Sequence, residues 1–110
     1  MRRFGSMIAA GLISLPLSAK ADIVRFDVEA HCTQIAGFGG NFSHEMFNFC
    51  ISAEQDAYDG LKGRWSSIAP TITAHCVEIA SFAGPGSYEM LQFCINEEEQ
   101  AASSTPAFKY

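Results

Sequence analysis

The chain spells out one segment twice. Residues 30–57 align without a gap on residues 74–101 at a constant offset of 44, and 15 of the 28 paired positions are identical. Among the identities are His31/His75, Cys32/Cys76, Ile35/Ile79, Phe38/Phe82, Ser43/Ser87, Met46/Met90, Phe49/Phe93, Cys50/Cys94 and Glu54/Glu98. A repeat of this length marks a duplicated supersecondary unit. The chain must therefore fold as two copies of one small motif, with two of its four cysteines in each copy.

The first 21 residues read as an address. Arg2 and Arg3 precede an uncharged apolar run from Met7 to Leu17, and Ala19-Lys20-Ala21 offers small residues at a cleavage site. The run is shorter than the ~20 apolar residues of a spanning helix. The residue directly after the cut is Asp22 and not cysteine, which argues against a lipid anchor of the lipoprotein type. Cleavage is expected after Ala21, leaving residues 22–110 as one domain in the periplasm or outside the cell, with no membrane attachment. Four basic residues then face twelve acidic ones, 4 − 12 = −8. Such a field disfavours nucleic acid and anionic lipid as partners and leaves a basic protein or a divalent cation.

A domain this small is often reinforced covalently, and an exported chain enters a compartment where disulfides persist. Four cysteines allow three pairings. Two copies of one unit should close alike, which favours Cys32–Cys50 and Cys76–Cys94.

The periodicity is helical. Val24, Val28, Cys32 and Ile35 recur on one face, and Ile68, Ile72, Cys76 and Ile79 repeat them. Pro70 suits a first helical turn. Gly37, Gly39 and Gly40 end the first unit's opening helix, and Gly84, Pro85 and Gly86 end the second's. Ser43 and Ser87 are N-cap residues for a second helix in each copy, with Glu45 or Glu89 near the positive end of its dipole. These second helices carry two apolar stripes, Met46, Phe49, Cys50, Ala53 and Ala57 against Phe47, Ile51 and Tyr58. They are expected at the centre, each between its own partner helix and the other copy. The fold class is all-α: two tandem disulfide-stapled hairpins, 22–59 and 66–102, in a small four-helix arrangement. A Gly- and Ser-bearing linker holds Trp65 beside Lys62 and Arg64, and 103–110 is a loose tail.

Candidate chemistry is sparse. His31 and His75 beside the cysteines, with Met46 and Met90, are soft or borderline ligands of the kind used by copper or zinc carriers. The spacing argues otherwise, since 17 residues separate the cysteines of each copy and no C-x-x-C occurs. The competing expectation is a structural disulfide with a histidine on the helix flank, and no cofactor. Met46, Met90, Phe49 and Phe93 are expected as core filler. Glu54 and Glu98 are either pairing carboxylates or, more simply, solvated helix residues. The glycines neither follow a strand nor form a phosphate-binding pattern, and nothing supplies a convergent nucleophile, base and oxyanion donors. Candidate binding residues are His31, His75, Glu54, Glu98 and Trp65, with no catalytic or metal site expected.

The string His75-Cys76-x-x-Ile79-Ala80, then Gly86-Ser87-Tyr88, Cys94-Ile95 and Glu98, resembles a motif that recurs in small exported bacterial proteins. The likeness spans both repeats and implies no activity. A fainter one is to the LprI-like lysozyme inhibitors, helical and disulfide-bearing. Their Ala-Asp…Leu-Asn…Tyr signature is replaced here by Gln55-Asp56-Ala57-Tyr58-Asp59-Gly60-Leu61. The disulfide-closed hairpins of mitochondrial assembly factors are similar in outline but use shorter cysteine spacing. The resulting expectation is an exported, non-enzymatic interaction module that binds a protein partner. The alternatives are a periplasmic metal carrier and a lysozyme-type enzyme inhibitor.

Overall fold

The computed structural model describes residues 22–110, so the expected export signal over 1–21 lies outside the described residues. Four helices follow one another: α1 Val28–Ala36, α2 His44–Lys62, α3 Pro70–Ala80 and α4 Tyr88–Ala102, with a 3-10 turn at Trp65–Ser67. No strand occurs among the described residues. Helices α1 and α2 form one hairpin and α3 and α4 the other, and the hairpins meet through α2 and α4. The second helices are thus central, as expected.

Each hairpin is closed by its own disulfide, Cys32–Cys50 and Cys76–Cys94, with the Cα atoms 5.6 Å apart in both. The half-cystines sit level because each stands about two turns from the bend. Links spanning 18 residues stabilise by about 3 kcal/mol each on chain-entropy grounds. That matters most for α1, whose nine residues fall below the ~12–15 an isolated helix needs.

The first helices start later than the apolar periodicity suggests. Asp27 caps α1, its carboxylate accepting from the Ala30 amide at 3.1 Å, so Val24 lies in an extended lead-in before it. Pro70 opens α3 as expected, and Ile68 precedes it in extended backbone. Both apolar residues pack on the core without being helical. Ser43 and Ser87 cap α2 and α4 as their sequence positions imply, accepting from Met46 and Met90 amides at 3.1 and 3.2 Å. Helix α2 runs on to Lys62 through Gly60, where a Cβ would stand 3.2 Å from Gln92 of α4.

The core lies between the repeats rather than within each. Leu61 of α2 and Leu91 and Ile95 of α4 are fully buried, joined by Ala57, Ile68, Cys76, Tyr88 and Ile23. Each large aliphatic side chain taken from water contributes roughly 1.5–3 kcal/mol. Tyr88 ties the lead-in to this core. Its phenol donates to the Val24 carbonyl at 2.8 Å and accepts from the Phe26 amide at 2.9 Å. Gly86, at φ +103°, is required beneath the Phe26 ring, which a Cβ there would strike.

Candidate functional site

The sequence treats Glu54 and Glu98 alike, and the fold does not. Glu54, on α2, is 1 % exposed. Its carboxylate accepts from the Tyr88 amide at 2.6 Å, the Ser87 hydroxyl at 2.7 Å and the Glu89 amide at 3.4 Å. A helix start leaves its first amides without intrahelical partners, and Glu54 supplies both acceptors and negative charge to the first turn of α4. The expectation of a solvated glutamate is therefore overturned in the first repeat. Glu98 remains half exposed. His31 stands 3.6 Å from Glu54, and His75 stands 3.7 Å from Glu98.

The candidate residues thus come together in pairs, not as one site. Trp65 is separate from both pairs, half buried beside the core, where it lines a hollow of about 350 Å³ with Arg25, Tyr58 and Lys62. All four sulfurs are in disulfides, which removes thiolate donors from the carrier reading. Among the described residues no three His, Cys, Asp or Glu side chains converge as a metal-binding group. Burial pushes the Tyr88 phenol above its ordinary range, against the hydrogen bond from the Phe26 amide.

A second correction concerns the apolar residues. Met46, Met90, Phe49 and Phe93 are not core filler. They are exposed, together with Ile35, Ile79, Phe38 and Phe82. Phe38 and Phe82, in the hairpin turns, are 91 % and 87 % exposed, and Phe49 and Phe93 are 77 % and 63 % exposed. The reason is size. Helices α2 and α4 turn one flank to the interhelical core, and no further layer exists among the described residues to cover the other.

Ile35, Met46 and Phe49 form an exposed apolar face beside Cys50, and the same exposed residues recur in repeat 2 as Ile79, Met90 and Phe93. In repeat 1 the face folds into a groove of about 450 Å³, floored by Ile35, Met46, Phe49 and Cys50. Glu45 and Glu89 stand at its rim. Glu89 belongs to repeat 2, so this groove is completed across the junction. Sequence reasoning missed the face, although a signal was present: Phe38 and Phe82 sit in glycine-containing turns, where no core awaits them.

Comparison with known proteins gives no match among family models, curated proteins or solved structures. The two disulfides fit folding in an oxidising compartment. Among the described residues no helix is long and apolar enough to cross a membrane.

Proposed function

We infer that the protein is an exported, non-enzymatic binding module, acting in the periplasm or outside the cell, whose duplicated apolar faces dock a protein partner. One observation carries this reading: four large apolar side chains stand exposed in each repeat and are the same four residues in both. Ile35, Phe38, Met46 and Phe49 recur unchanged as Ile79, Phe82, Met90 and Phe93. Buried positions are mixed: Cys32, Ala36 and Ala57 recur as Cys76, Ala80 and Ala101, whereas Leu91 answers Phe47 and Tyr88 answers His44. Stability alone gives no reason to keep large apolar side chains in water, whereas contiguous exposed apolar surface marks interaction sites.

The rim sets the partner's chemistry. Glu45 and Glu89 beside an apolar floor suit a segment that presents a leucine- or phenylalanine-like side chain next to lysine or arginine. The charge of −8 over residues 22–110 steers toward such a basic surface. A lysozyme-type target meets that description and is one partner to test.

The test is a titration of the oxidised protein with a short leucine–lysine peptide, its leucine–glutamate counterpart, and lysozyme. Binding of the basic probes that weakens with salt and is abolished by Phe49→Ser with Phe93→Ser supports the reading. Equal binding of the acidic peptide, or none of the basic probes binding, overturns it.

A further inference from the structure

The two repeats meet head to tail. Repeat 1 offers Glu54, in the middle of its second helix, and repeat 2 offers Ser87, Tyr88 and Glu89, the start of its own. Further along, Arg64 reaches Glu99 at 3.1 Å and Asn96 at 3.0 Å. Helices α2 and α4 therefore run in the same direction, with α4 beginning beside the middle of α2. A junction built from different surfaces of equivalent units is heterologous, and each unit of the pair keeps one half unused.

Repeat 2 is left with Glu98, the counterpart of Glu54. Repeat 1 is left with Ser43, His44 and Glu45, the counterparts of Ser87, Tyr88 and Glu89. Both spare halves are already shaped like the used ones. The cap hydrogen bonds of Ser43 and Ser87 are alike, at 3.1 and 3.2 Å. Glu98 lies beside His75 as Glu54 lies beside His31, at 3.7 and 3.6 Å. The Phe42 ring lies 5.0 Å from His44, much as Phe26 lies 4.9 Å from Tyr88. The aromatic neighbour that α4 draws from the other repeat is thus supplied to α2 by its own turn. The amides of His44 and Glu45 are first-turn donors, and among the described residues they have no acceptor.

We propose that a second copy of the chain continues the repeat, with Glu98 of one molecule accepting from the Ser43 hydroxyl and the His44 and Glu45 amides of the next. The same stacking brings Glu45 of the second copy to the Ile79, Met90 and Phe93 face, as Glu89 is brought to the face of repeat 1. The partner copy thereby contributes to that face the carboxylate that Glu89 contributes to the repeat 1 groove. Ala101, Ala102 and Thr105 stand where the inner junction has Ala57, Tyr58 and Leu61. The contact between molecules is less apolar than the inner one, and association is reversible. This inference rests on the junction alone and does not depend on the partner proposed above.

Sedimentation velocity of the oxidised chain tests it, carried up to about 1 mM, where even weak specific contacts populate. The weight-average mass is expected to climb past that of a dimer without a plateau. Glu98→Ala removes the acceptor, and His44→Asp sets a negative charge against it while favouring the helix dipole. Each variant alone should associate at least tenfold more weakly. An equimolar mixture of the two retains one intact pair of halves, so it should form a heterodimer and stop there. Glu98→Gln, which preserves side-chain volume, should weaken association in the same direction. A wild-type chain that stays monomeric throughout overturns the proposal. So does equal association of wild type and variants, which would assign the contact to the apolar faces, and so does a mixture that forms no heterodimer.

Discussion

At the residue scale, one glutamate does two jobs in two places according to what lies over it. Glu54 is enclosed by the start of α4 and accepts from a hydroxyl and two amides, whereas Glu98 faces water with His75 beside it. Hydrogen bonds to a charged acceptor are worth about 1.5–3 kcal/mol when their loss strands buried donors. Glu54→Gln should therefore lower unfolding stability by about 2 kcal/mol, while Glu98→Gln shifts it by less than about 0.5 kcal/mol. Urea midpoints at unchanged slope would show the difference. Tyr88 yields a pH prediction. Burial raises its pKa above the ordinary value of 10.0, so the folded state holds the phenolic proton more tightly than the unfolded chain. Its contribution is complete below pH 10 and is lost as pH rises through the higher folded value. Thermal melts should show an alkaline decline above pH 10 that Tyr88→Phe reduces. Neither role was legible from the letters. Glu54 and Glu98 are identical, and Tyr88 differs from its counterpart His44 for a reason visible only once the lead-in packs on it.

At the scale of elements, the caps and staples were legible because they are local. Ser43 and Ser87 announce their helices, and the repeat restricts the cysteine pairing. Helix starts were not, because Val24 and Ile68 fall on the helical period yet pack on the core from outside the helices, Ile68 buried and Val24 partly so. The two disulfides also differ in what they hold. Cys76 belongs to the main core, whereas Cys32 lies apart from it and α1 packs on α2. Replacing Cys32 and Cys50 by alanine should release α1 locally, with its amides losing exchange protection while repeat 2 keeps its own. Replacing Cys76 and Cys94 should instead lower global stability by about 3 kcal/mol or more and reduce protection throughout. Hydrogen exchange resolved by segment separates a local from a global loss. Equal effects of the two replacements would mean that α1 is part of the central cooperative unit.

At the scale of the whole molecule, periodicity could identify apolar stripes but not which of them the fold would cover. A chain with 89 residues in its described part has a high ratio of surface to volume, and the single interhelical core accommodates one flank of each central helix. The other flank, with the turn phenylalanines, stays outside. Because both repeats present such a face, binding should depend on valency. A partner displayed densely on a surface can engage both faces at once, and the second engagement proceeds at high effective concentration. Two-site avidity of this kind exceeds either single affinity by about 10²–10⁴. Replacing Phe38 and Phe49 by serine should leave the urea midpoint nearly unchanged, since both rings are already in water. The same replacement should lower apparent affinity for the dense surface by about 10²-fold or more. Against a monovalent partner in solution the loss should be only about twofold, the statistical factor for one of two sites. Replacing Phe82 and Phe93 instead should give losses in the same direction, the smaller of the two in solution because that face has only one rim carboxylate within the molecule. If either replacement abolished binding in solution, the repeats would form one composite site, and avidity would have no part in recognition.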